Sequence, residues 1–146
     1  MKTLVKDWMT SNPVTATSGC TLPEAYWLML DNNIRRLLIV EKGALVGIVT
    51  LEDLRRKGPI SVPGFDMIRI SDTLSKLPVR HLMTKNTKTI PPTATLIEAA
   101  HLMLEYKIST LPVLDGNKLV GIITESDIFR AFVEQEKNKP VEGIAR

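Results

Sequence analysis

The sequence predicts an α+β fold of two β-α-β-β-α repeats packed with pseudo-twofold symmetry, and three observations carry that expectation. Val5–Arg56 aligns with Val79–Arg130 at a constant offset of 74 and without a gap, giving 21 identities in 52 positions. In each repeat a Thr-x-x-Glu pair, Thr21/Glu24 or Thr95/Glu98, stands immediately before an apolar stripe of helical spacing. Each repeat then carries two short apolar runs split by a turn, the second run leading into Thr-x-x-Asp. An internal duplication of this length is one supersecondary unit used twice.

The elements follow in order. A short extended segment opens each repeat, Pro13–Thr17 in the first and Lys88–Pro91 in the second. The Thr-x-x-Glu pairs are capping boxes, in which hydroxyl and carboxylate satisfy amide donors at opposite ends of a helix's first turn. The first helix has Leu22, Ala25, Tyr26, Met29 and Leu30 on one face, and its counterpart has Leu96, Ala99, Ala100, Met103 and Leu104. The methionines are read as core filler. Leu37–Val40, the turn Glu41–Gly43 and Leu45–Thr50 then read as a hairpin, repeated by Leu111–Leu114, Asp115–Asn117 and Leu119–Thr124. A second helix starts at Thr50 or Thr124. One repeat alone leaves an apolar sheet face uncovered, and pairing the two covers both.

Domain boundaries are expected at residues 1–60 for the first repeat, 61–78 for a connector, 79–137 for the second repeat and 138–146 for a flexible tail. Gly58, Pro59, Pro63 and Gly64 break any long helix in the connector, while Asp72–Leu77 has room for a turn or two.

Composition excludes several function classes. With 146 residues, 44% hydrophobic and 24% charged, the chain is expected to be an ordinary globular one, without a membrane span or an export signal. A single cysteine, Cys20, fits a reducing compartment, so the cytoplasm is expected. The net charge of +3 is scattered, and no basic face for nucleic acid emerges. His81 and His101 align with Asp7 and Trp27, outside the repeated pattern, and the chain has no metal-ligand spacing, nucleophile elbow or Walker loop. No enzyme activity, cofactor or metal is expected.

With these residues in hand, the pattern resembles a cystathionine-β-synthase (CBS) domain. Thr95-Leu96-x-Glu98-Ala99, Leu111-Pro112-Val113-Leu114-Asp115, Leu119–Thr124 and Asp127 carry the resemblance in the second repeat. Arg36–Glu41, Leu45–Thr50 and Asp53 carry it in the first. The resemblance covers roughly residues 5–56 and 79–130 and departs at Leu38, where the second repeat has Pro112. A tandem pair is similar to a Bateman module, a regulatory sensor of AMP, ADP, ATP or S-adenosylmethionine. In length and order the chain looks like the small stand-alone CBS-pair proteins. The resemblance implies an adenine-nucleotide ligand, a homodimer formed through helices and a separate effector protein. The alternative is a ligand-free module for dimerisation or partner docking.

The candidate site joins these readings. Thr50/Asp53 and Thr124/Asp127 are sufficient as capping boxes with no ligand. The same corners offer helix-start amides and a threonine hydroxyl to phosphate, and an aspartate to the two hydroxyls of a ribose. Val14, Thr15 and Ala16, or Thr89, Ile90 and Pro91, are candidate walls for the base, faced by Ile48 and Val49 or by Ile122 and Ile123. Core packing explains several of these equally well. Arg35 and Arg36 align with Ser109 and Thr110. The resemblance implies that this position points toward ligand phosphates, which the planar arginine fork suits. Surface charge at a helix end is the plainer reading of the arginines, and Thr110 joins the candidate contacts as their counterpart.

Overall fold

The computed structural model describes residues 3–57 and 76–138. Its elements are α1 (Val5–Trp8), β1 (Thr10–Ser11), β2 (Thr15–Ala16), α2 (Leu22–Asp31), β3 (Arg36–Glu41), β4 (Ala44–Thr50) and α3 (Leu51–Lys57). After a 3-10 turn at Val79–His81 come α4 (Leu96–Tyr106), β5 (Thr110–Asp115), β6 (Lys118–Thr124) and α5 (Glu125–Lys137). The fold is the expected mixture of helices and sheets, with the same unit built twice. The expectations for the connector and the tail fall largely outside the described residues.

The chain forms two compact units, and neither is a continuous stretch. One gathers Met1–Asn12, Lys88–Gly116 and Val120–Arg146; the other gathers Pro13–Thr87 and Asn117–Leu119. The segment that precedes each repeat's first strand therefore folds with the other repeat's hairpin. Thr10 pairs antiparallel with Ile122, and its counterpart Thr84 pairs antiparallel with Ile48. The Val5 amide bonds the Ala94 carbonyl at 2.8 Å, and the Val79 amide bonds the Cys20 carbonyl at 2.7 Å. The chain leaves these segments through Asn12 and Asn86, both left-handed at φ of 50° and 54°, a conformation asparagine adopts more readily than most residues.

Each unit has its own core. In one, Val79 packs with Leu22, Ala25, Met29, Leu37, Ile39 and Val49. In the other, Val5 packs with the matching set Leu96, Ala99, Met103, Leu111, Val113 and Ile123. Residues that alternate along β3 and β4, and recur every three or four positions along α2, thus close on one sheet face.

A close backbone approach fixes the glycine in each Leu-Val-Gly-Ile run. A Cβ on Gly47 would stand 2.9 Å from the Thr84 carbonyl oxygen and 2.7 Å from Met83 Sδ. One on Gly121 would stand 2.9 Å from the Thr10 carbonyl oxygen and 2.6 Å from Met9 Sδ. Only a residue without a side chain lets the exchanged segment lie against the hairpin.

Leu38 and Pro112 explain a difference between the edge strands. Thr15 and Ala16 pair parallel with Leu38 and Ile39, whereas only Ile90 bridges Val113 in the second repeat. Ile90 donates to the Pro112 carbonyl at 3.1 Å and accepts from Leu114 at 3.0 Å. One more rung would need an N–H from Pro112, which proline lacks. The extended segments are accordingly shorter than the sequence suggests, and the hairpins longer: only Lys42-Gly43 and Gly116-Asn117 separate their strands.

Candidate functional site

Both Thr-x-x-Asp segments form the corner where a hairpin's last strand becomes a helix. The Thr50 amide donates to Asp53 Oδ2 at 3.0 Å, and the Asp53 amide donates to Thr50 Oγ1 at 2.9 Å. In the second repeat the Thr124 amide and hydroxyl donate to Asp127 Oδ2 at 2.9 and 3.2 Å. The first helical amide of each corner is taken by the residue just ahead of the hairpin's first strand: Leu51 bonds the Arg35 carbonyl at 2.8 Å, and Glu125 bonds the Ser109 carbonyl at 3.0 Å. Both aspartates are buried, at 7% and 5% exposure. Each Oδ1 faces an arginine one turn on, loosely at 3.9 Å for Arg56 and closely for Arg130. The corners are therefore capped without any ligand, and in both Oδ2 takes the capping bonds while Oδ1 faces the arginine.

The arginine asymmetry lies at the start of the paired strands. Arg36 stands opposite Thr50 across β3 and β4, which brings its side chain to the face of the corner. Arg35 is exposed and pairs with Glu52 at 3.0 Å, a carboxylate that Arg55 also approaches at 3.7 Å. An exposed pair of this kind contributes little to stability, so Arg35 exchanges partners at small cost.

The proposed base walls separate by burial. Val49 and Ile123 are fully buried in the two cores, and Ile48 and Ile122 alternate to the opposite face of their strands. Thr15 is exposed, while Val14 and Ala16 pack partly against their core. Thr89, Ile90 and Pro91 line a cleft of about 540 Å³ with Ala94, Ile97 and His101. That cleft lies within one unit and draws on α4, a contribution sequence reasoning missed.

Cys20 is buried, and its thiol is pushed up to about 11, first by burial and then by the charge and hydrogen bond of Glu24. The neutral thiol dominates at physiological pH, which suits a core residue rather than a nucleophile. Glu24 completes only half of the expected capping box: its amide reaches Thr21 Oγ1 at 3.3 Å, whereas Thr95 and Glu98 exchange both bonds at 3.1 Å.

Two repeats of one α+β unit, each ending its hairpin on a Thr–Asp helix corner, define a tandem-repeat protein. The chain belongs to the CBS domain family, whose signature matches residues 5–59 and 79–134. It is similar to the CBS domain pair of protein MJ0100, solved with 5-methylthioadenosine and S-adenosyl-L-methionine. The TM-score is 0.76 and the identity 32%, covering 91% of this chain and 98% of that one. The protein AcuB of Vibrio cholerae superposes with a TM-score of 0.75 at 32% identity, covering 96% and 100% of the two chains. Among curated relatives, the CBS domain-containing protein YhcV of Bacillus subtilis is 32% identical over 85% of this chain and 81% of its own length. The L-aspartate semialdehyde sulfurtransferase of Methanocaldococcus jannaschii is 34% identical over 89% of this chain but only 23% of its own. An uncharacterized protein of the same organism, MJ1404, is 34% identical, and the match spans 34% of its length. The chain thus spans a quarter to a third of those two relatives.

Proposed function

We propose that the chain is a non-catalytic regulatory module that binds an adenosine nucleotide and converts occupancy into a change of shape or association. The observation that carries this reading is the Thr–Asp corner built twice, with an arginine opposite the threonine in the first repeat. The adenosyl ligands of the MJ0100 pair support the adenosine half of the reading. On it, Val14, Thr15 and Ala16 or Thr89, Ile90 and Pro91 flank the base, with Ile48 and Ile122 nearest on the adjoining strands. Asp53 or Asp127 then takes the ribose diol, and Arg35 and Arg36 hold AMP, ADP or ATP by the phosphate. A ligand acts on shape only through different affinities for two shapes. The regulated target is a separate effector protein, and the module works in the cytoplasm. Among the described residues no helix is long and apolar enough to cross a membrane.

The diol contact is tested by calorimetry with AMP and 2′-deoxy-AMP. Losing one of two hydrogen bonds to a carboxylate lowers affinity by about tenfold. Equal affinities remove Asp53 and Asp127 from that role.

The alternative, a ligand-free dimerisation or docking module, is favoured by one observation. Ile97 and Leu104 on α4 are 73% and 79% exposed, and Phe129 and Phe132 on α5 are 63% and 64% exposed. Large exposed apolar side chains on two helices are the kind of surface that a partner covers. Leu28 on α2 and Leu102 on α4 pack partly against the cores. Either reading expects a homodimer. Sedimentation at tens of micromolar should give twice the 16.3 kDa chain mass, and a clean monomer contradicts it.

A further inference from the structure

Two methionines hold the same place in the two units. In one, Met83 precedes Thr84, which exchanges hydrogen bonds of 2.8 and 3.0 Å with Ile48 of β4. In the other, Met9 precedes Thr10, which pairs with Ile122 of β6. A Cβ added to Gly47 would meet Met83 Sδ at 2.7 Å and Cγ at 2.9 Å. One added to Gly121 would meet Met9 Sδ at 2.6 Å and Cγ at 3.1 Å. Each thioether therefore fills the space where a side chain on the glycine would begin, and each packs against its own unit's core.

The same two methionines are partly exposed, whereas Met29 and Met103, the others among the described residues, are buried at 1% and 5% exposure. A peroxide arriving from water meets Met9 and Met83 first. Cys20 competes poorly, because it is buried and its thiol stays neutral. In the reaction the sulfur gives an electron pair to one peroxide oxygen: an S–O bond forms, the O–O bond breaks, and hydrogen peroxide leaves as water. The product is a polar sulfoxide in place of an apolar thioether. Between a glycine backbone and an apolar core the new oxygen has neither room nor a hydrogen-bond donor. β4 and β6 run on from these glycines to the corners at Thr50 and Thr124, three residues further along.

We propose that Met9 and Met83 are a matched pair of reversible oxidation sites, at which a hydroperoxide forms sulfoxides that lift the exchanged segments off Gly121 and Gly47 and loosen both hairpins. A methionine sulfoxide reductase with a dithiol reverses the step: the thioether returns, the dithiol becomes a disulfide, and the oxygen leaves as water. The proposal stands on the packing of the two methionines and is independent of the ligand the corners take.

The test treats the intact protein with hydrogen peroxide, maps the added oxygens by peptide mass spectrometry and records the melting temperature. Met9 and Met83 should oxidise about tenfold or more faster than Met29 and Met103. With both oxidised, the melting temperature should fall by about 4 °C or more, and methionine sulfoxide reductases should restore it. The double variant Met9→Leu/Met83→Leu keeps a similar volume without the sulfurs, and its melting temperature should hold under the same treatment. Each single variant should show about half the fall, which keeps the comparison if the double variant folds poorly. Three results overturn the proposal: Met9 and Met83 oxidising no faster than Met29 and Met103, an unchanged melting temperature with both oxidised, or a fall in the leucine variants as large as in the parent. A fall that a thiol reductant reverses and the sulfoxide reductases do not assigns the effect to Cys20 and overturns it as well.

Discussion

Replacing Arg36 with alanine should weaken AMP and ATP by about tenfold or more and leave adenosine nearly unchanged. Arg36 stands at the start of β3 opposite Thr50, and the second repeat has Thr110 in its place. A charge-assisted hydrogen bond contributes roughly 1.5–3 kcal/mol against about 1 kcal/mol for a neutral one, so losing the guanidinium costs phosphate binding far more than base or ribose binding. Raising salt should weaken AMP in the parent more than in the variant. Competition binding with AMP and adenosine on both proteins reads the difference directly. Equal weakening of the two ligands assigns Arg36 to the shape of the corner and removes it from phosphate binding.

The second large effect belongs to the exchanged segments. Gly47→Ala forces a methyl to within 2.9 Å of the Thr84 carbonyl oxygen, a backbone atom that moves only if the whole segment moves. Overpacking of this kind costs about 1–3 kcal/mol, or roughly 2–4 °C of melting temperature per kcal/mol in a chain of this size. Gly121→Ala should behave alike, because Thr10 stands in the same relation to it. Gly19 is the internal control: nothing lies within 4 Å of a Cβ there, so Gly19→Ala should stay within about 0.5 kcal/mol of the parent. Thermal melting of the three variants checks this. A parent-like Gly47→Ala would show that the segment at Met83-Thr84 does not press on the hairpin.

The sequence made the repeated unit legible because its signals are local. Thr95 and Glu98 lie within one turn of each other, the stripe from Leu22 to Met29 keeps helical spacing, and Lys42-Gly43 lies between two apolar runs; none of these needs a distant partner to be read. The exchange of opening segments was not read, because no local rule says which hairpin a short strand will join. Its trace was nevertheless present. Met9-Thr10 and Asn12 repeat as Met83-Thr84 and Asn86, outside any predicted strand, and the glycine each methionine covers repeats as Gly47 and Gly121. At the candidate site, the Thr–Asp corners and the arginine asymmetry followed from type and spacing. The burial of the Thr110 hydroxyl without a hydrogen-bond partner did not, since it depends on what Thr124 and Asp127 do with their own bonds. The contribution of α4 beside Thr89–Pro91 was hidden for a similar reason: Ile97 and His101 reach that cleft through tertiary packing.

Thermal melting with AMP, ADP, ATP and S-adenosylmethionine, with guanine nucleotides as controls, decides whether this protein binds an adenosyl ligand. At a hundredfold excess over its dissociation constant, a ligand that binds only the folded state adds about 2.7 kcal/mol of stability. At least one adenosyl compound should raise the melting temperature clearly, and the guanine set should raise it less or not at all. No shift with any adenosyl compound at millimolar concentration would contradict it and leave the ligand-free docking module in its place.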